Sequence, residues 1–213
     1  MRRNALLVAV LLLLTGSRLS PASAQEATPV PGLIVPEPAE CTVAPRVVDE
    51  FGALLATPAA VPDAAATPAP VMIPIGQPAD AATVAEITRT TRETFACFSA
   101  GDYLRVFALV TDDAVRQLQA QGILSPEVVP FFAATPVAVP PDLRAGYLAI
   151  TDVSLLPDGR VGAFIVEVDP TLPPEGAETD YLVFEQVGDR WLVDEIVETW
   201  TASGPGGAGT PTP

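Results

Sequence analysis

Two carboxylates stand side by side near the end of this 213-residue chain, Asp194 and Glu195, within a run of β-favouring residues. In an extended strand, Trp191, Val193, Glu195, Val197 and Thr199 share one face, and Leu192, Asp194, Ile196, Glu198 and Trp200 share the other. If the first face lines a pocket, Glu195 points into it; if the second does, Asp194 takes that place. The remaining proton-transfer groups are tyrosines, Tyr103, Tyr147 and Tyr181, because the chain has no His and all 11 of its basic residues are Arg. A carboxylate base and a tyrosine donor could move a proton on one substrate, provided burial raises the pKa of the acid. Tyr181 shares a face with Val183 and Glu185 and could wall such a pocket. Tyr103 follows a helix cap and is expected to bury its ring with the hydroxyl at the surface. The alternative for Asp194 and Glu195 is a rim carboxylate, solvated or paired with Arg160 or Arg190.

The same inventory excludes much else. An imidazole base, a His-ligated metal, a Schiff-base lysine and a phosphate-binding P-loop lysine all lack their residue. No spacing suggests a metal site: Asp112 and Asp113 are adjacent and point apart, and they fit the positive end of a helix better. No cofactor-binding motif is found. With a net charge of −15, the surface repels nucleic-acid phosphates and anionic lipid. The acidic surplus is most simply a solubility feature, with calcium or a cationic partner as its functional version.

Proline punctuates the elements that must position these groups. Eleven of 24 Pro fall between residues 25 and 81 and none between 82 and 125, so helices can run there without interruption. Asp80, or Thr83 with Glu86, can cap a helix whose apolar face is Val84, Ile87, Thr91, Phe95 and Phe98, with Arg89, Arg92 and Glu93 away from it. Gly101 ends it and Asp102 caps the next, which carries Leu104, Phe107 and Ala108 inward. Thr111 or Asp112 restarts a third with Val115 and Leu118, and Pro126 opens a short fourth. Beyond Pro141 the period becomes alternating, with strands expected at 144–156, 160–169, 179–187 and 190–200 and hairpin turns at Asp158-Gly159 and Gly188-Asp189. Helices followed by a meander predict an α+β domain.

Upstream, residues 1–24 read as a signal peptide: Arg2 and Arg3, the apolar run Leu6 to Leu14, and Ala22-Ser23-Ala24 before Gln25. The expected localisation is secreted or extracytoplasmic, with no membrane span once that segment is cleaved. Residues 25–40 look like a disordered spacer and 41–79 like an N-terminal extension wrapping the core domain at 80–200. Residues 201–213 form a Gly/Pro/Thr tail expected to be disordered. An oxidising compartment permits a disulfide, and Cys41 and Cys97 allow only one within the chain. Cys97 sits one residue off the apolar stripe, within reach of an overlying segment. Two unrelated thiols, or a link between chains, are the alternatives.

The string Phe95 to Tyr103, running into Phe107-Ala108-Leu109-Val110-Thr111-Asp112-Asp113, resembles the start of nuclear transport factor 2-like and SnoaL-like proteins. Gly188-Asp189-Arg190-Trp191-Leu192-Val193-Asp194-Glu195-Ile196 is similar to their last strand. The resemblance covers residues 80–200 and implies a cone of helices packed in the concave side of a curved antiparallel sheet, with a pocket between them. In that superfamily the pocket can be catalytic, as in ketosteroid isomerases and polyketide cyclases, can bind, or can serve assembly; fold alone does not choose. The His-Asp pairs of several of its enzymes have no counterpart here. The leading expectation is an exported, non-enzymatic module that binds a small apolar ligand or a protein partner. The alternative is a small isomerase- or cyclase-like enzyme using a pocket carboxylate and a Tyr. A homodimer formed by sheet packing is compatible with either.

Overall fold

The computed structural model describes residues 32–57, 73–170 and 177–198. The expected signal peptide, the first part of the expected spacer and the expected tail lie outside the described residues. Five helices pack against a five-stranded antiparallel sheet: α1 Val48–Ala56, α2 Ala81–Ala100, α3 Tyr103–Ala108, α4 Asp112–Ala120 and α5 Val129–Phe132. The strands are β1 Gln77–Pro78, β2 Gly146–Leu155, β3 Val161–Val168, β4 Ala177–Val187 and β5 Arg190–Glu198, paired in that order. The fold is therefore α+β, as the sequence predicts.

The helix boundaries follow from capping chemistry. Asp80 accepts from the Thr83 N–H at 2.7 Å, Asp102 from Arg105 N–H at 3.2 Å, and Thr111 from Ala114 N–H at 3.1 Å, each satisfying a donor that has no carbonyl partner within its helix. Gly101 closes α2 at φ 67°, where a Cβ would lie 2.2 Å from the Val137 carbonyl oxygen. No other residue fits there. Gly159 and Gly188 take positive φ in the two tight hairpins.

The helices meet the inner face of the sheet across a core of rings. Phe51 stacks on Phe107 at 5.1 Å, Phe107 meets Phe132 at 5.3 Å, and Phe95 meets Tyr147 at 5.4 Å. Trp191, Leu182 and Ile196 pack against the same cluster. Phe51 and Leu55 come from α1, so the extension supplies part of the core rather than only covering it. The composition-based spacer boundary at residue 40 also lies too late. Ile34 pairs with Tyr147 through backbone bonds of 2.8 and 3.0 Å, and Glu37 and Glu40 bond Arg144 and Arg92.

Within α2, Glu93 departs from expectation. It is 7 % exposed, not on the solvent side. On α3 the buried residues are Leu104, Val106 and Phe107, while Ala108 is half-buried.

The last strand changes phase in the middle. Val183 pairs with Glu195 but Phe184 pairs with Val193, so Asp194 is an extra residue in the ladder. Trp191 and Val193 join the inner core before this bulge, and Ile196 joins it after. Val197 instead packs with Tyr181 and Val183 on the outer face. Neither strictly alternating face survives intact.

Candidate functional site

The bulge decides where the two adjacent acids go. Both bond the guanidinium of Arg160, which enters from the β2–β3 turn: Nη1 reaches Asp194 at 2.8 Å and Glu195 at 3.4 Å, while Nε reaches Asp158 at 2.8 Å. Asp194 also accepts from the Thr111 hydroxyl at 2.8 Å. Burial works against the charge on Arg160, but the hydrogen bonds it donates to Asp194 and Asp158 outweigh it and hold the group cationic. In this arrangement Asp194 ties β5 to the start of α4 and to the β2–β3 turn.

Tyr181 stands on the outer face of β4. Its ring meets Phe164 edge-on at 5.0 Å, and its hydroxyl lies above Gly162, where a Cβ would come within 1.8 Å of it. The glycine is therefore what admits the ring. Burial raises the Tyr181 pKa, partly offset by a hydrogen bond with Ser154 and by Arg160. Beside this ring opens a cavity of about 350 Å³, lined among others by Ile73, Pro74, Asp152, Ser154, Phe164 and Tyr181. It lies on the face of the sheet opposite the helices, not between helices and sheet.

The acid on that lining is Asp152 rather than Asp194 or Glu195. A second bulge, between Thr151 and Ser154, places it there at φ 52°. A left-handed non-glycine backbone is costly and needs surrounding structure to hold it, and Asp tolerates it better than most residues. Chemically, the cavity offers an apolar floor, two hydroxyls and an exposed carboxylate. Such a surface can hold an apolar body and bond one polar group.

Tyr103 lies elsewhere. Its ring packs against Phe132 at 5.1 Å, Phe131 at 5.5 Å and Phe98 at 6.3 Å, and burial raises its pKa. It forms part of the aromatic packing and does not meet Tyr181, Asp194 or Glu195 in a common site.

Cys41 and Cys97 are bonded, with Cα atoms 4.7 Å apart. Cys97 is fully buried rather than at the edge of its face. The bridge sits amid polar bonds that fasten the extension: Glu93 accepts from Thr42 N–H at 3.1 Å, Thr42 Oγ1 at 2.8 Å and Val43 N–H at 2.7 Å, and pairs with Arg190. Burial pushes the Glu93 pKa up, yet these donors prevail and hold it below its ordinary value.

One acidic group was missed by reading the sequence. Glu167, 9 % exposed, hydrogen-bonds Asp180, 7 % exposed, and burial together with Asp180, Glu178 and Asp169 pushes its pKa up to about 9. The available signal was phase: Glu167 continues the alternation of Val161, Ala163 and Ile165, which face the core. Among the described residues, no group of three or more Cys, Asp or Glu side chains is placed to hold a metal ion, and no helix is long and apolar enough to cross a membrane.

In comparisons with known proteins, no family model matches the chain, and neither a curated protein nor a solved structure does.

Proposed function

We propose that this chain is an exported, non-enzymatic binding module of nuclear transport factor 2-like architecture. Its ligand seat is the outer-face cavity beside Tyr181. The observation that carries this reading is where open space lies. Phe51, Phe95, Phe107, Phe132 and Tyr147 occupy the region between helices and sheet, whereas the cavity of about 350 Å³ opens over Phe164 and Tyr181. Its size and lining suit a small ligand with an apolar body and one hydrogen-bonding group. Ile75, 89 % exposed beside the lining residues Pro74 and Gly76, extends the apolar surface at the rim.

The enzyme alternative has less support. It needs a desolvated carboxylate facing a tyrosine, but Asp194 and Glu195 are held by Arg160, and the cavity's own acid, Asp152, is exposed. Export is supported by the leader-like residues 1–24, and the buried disulfide is compatible with an oxidising compartment. Cleavage after Ala24 in a secreting host would leave Gln25 as the first residue, readable by terminal sequencing.

Binding is testable with Nile red, a neutral apolar dye that the protein's negative charge does not repel. Fluorescence should rise on titration into the mature chain. Filling the cavity with Ser154→Trp should abolish the rise, whereas Phe131→Ala, on the helical side, should leave it. Equal binding by wild type and Ser154→Trp would refute the assignment of the seat.

A further inference from the structure

The cavity beside Tyr181 has a charge as well as a shape. Asp152, the acid on its lining, is exposed and stands in the bulge between Thr151 and Ser154. Among the described residues its carboxylate has neither an ion pair nor a hydrogen bond. The same residues hold no spare cation for it. The chain has no Lys or His, and every arginine among the described residues already pairs with another carboxylate. Arg160, whose charge reaches Tyr181, is shared by Asp158, Asp194 and Glu195, so that group is itself negative overall.

The remaining walls are aromatic or apolar. Phe164 and Tyr181 meet at 64° between ring planes, and Ile73, Pro74 and Pro78 add aliphatic surface. Aromatic rings attract a cation through their negative faces, and a carboxylate beside apolar surface attracts it more strongly than one in open water. An anion is opposed by Asp152 and by the net charge of −15. A hard divalent ion fits poorly, because it takes about six oxygen ligands. Among the described residues no three acid side chains converge to supply them.

Building on the reading that this cavity is the ligand seat, we propose that it selects a small organic ammonium cation. Asp152 neutralises the positively charged nitrogen, and Phe164, Tyr181 and the prolines hold the carbon frame. The ligand thus brings the cation that the described part of the chain lacks at this place. Its one polar group, required by the lining, is the ammonium itself.

Hexylammonium, hexanol and hexanoate share one carbon chain and differ in the charge of the head group. Each is titrated at neutral pH into the mature, disulfide-bonded chain, with amide shifts read at Gly76, Asp152 and Ser154. At about 0.01 M ionic strength hexylammonium should bind about tenfold tighter than hexanol, the combined scale of an exposed cation–π contact and one weakly screened opposite charge. Hexanoate should bind weakest. Salt at about 1 M should reduce the advantage of hexylammonium to about threefold, the share of the rings alone. Asp152→Asn should do the same at low salt, since Asn also tolerates the left-handed backbone. Glu50→Gln, which removes an exposed acid from the helical side, should leave the advantage intact. Equal affinities for hexylammonium and hexanol would overturn the cation preference and leave the seat standing. Shifts at none of the three amides with any compound would overturn the seat, and the preference with it. An advantage reduced as much by Glu50→Gln as by Asp152→Asn would also overturn the proposal, because net charge alone would then explain it. Should Asp152→Asn not fold, the salt series on wild type decides: an advantage that salt does not reduce overturns the proposal.

Discussion

Glu93 of α2 and Arg190 of β5 form an ion pair across the boundary between helix and sheet, and the same carboxylate takes the N–H groups of Thr42 and Val43. Three pieces of chain distant in sequence therefore meet at one side chain. Removing the carboxylate leaves a half-buried guanidinium and two backbone donors without it. Glu93→Ala should cost roughly 3 kcal/mol, the usual scale for breaking a buried pair by removing one partner. Urea unfolding at neutral pH measures it, and a loss under about 1 kcal/mol would assign the group a surface-like role.

The disulfide supports the same junction from the covalent side. It closes a loop with a sequence separation of 56, which corresponds to about 4 kcal/mol in the chain-entropy account. A Cys41→Ser/Cys97→Ser double variant should lose stability on that scale. A tryptic digest without reductant should yield the two cysteines in one joined peptide, since Arg46, Arg89 and Arg92 otherwise separate them.

Acid and alkali should weaken different parts of the molecule. Glu93 has its pKa depressed, so its contribution is present above the ordinary value of 4.5 and is lost as pH falls through the lower folded value. Glu167 has its pKa raised, so its contribution is complete below 4.5 and is lost as pH rises toward about 9. Thermal unfolding across pH should show Glu93→Gln flattening the acid limb and Glu167→Gln flattening the alkaline one. The reverse assignment would contradict the geometry of both sites.

Gly162 and Tyr181 are matched in shape. Gly162→Ala brings a methyl group against the Tyr181 ring and should cost about 2 kcal/mol, in the range of an overpacked core. Combining it with Tyr181→Leu should recover part of the loss, giving a coupling energy that neither substitution alone predicts. Strict additivity in denaturant titration would mean that the ring does not lie over the glycine.

Much of the architecture was legible because local chemistry and tertiary context agree. The interval without Pro carries α2, α3 and α4, the caps Asp80, Asp102 and Thr111 are in place, and the hairpins turn at Gly159 and Gly188. The site was less legible for a specific reason. One extra residue at Asp194 reverses the alternation, so Glu195 and Val193 part company although they lie two apart. Glu93 looks like a surface acid by helical phase, and its burial comes from Thr42, Val43 and Arg190, all distant in sequence. Likewise, residues 32–40 have a spacer's composition, yet Ile34 pairs with β2 and Glu40 pairs with Arg92.

The central claim is that ligand binds the outer face of the sheet, away from the helices. Nuclear magnetic resonance mapping of a Nile red titration on the mature chain tests it most directly. Amide shifts should concentrate at Gly76, Asp152, Ser154, Phe164 and Tyr181, with Phe51, Phe107 and Phe132 unmoved. Shifts centred on those three phenylalanines, or no saturable shifts at all, would contradict the account.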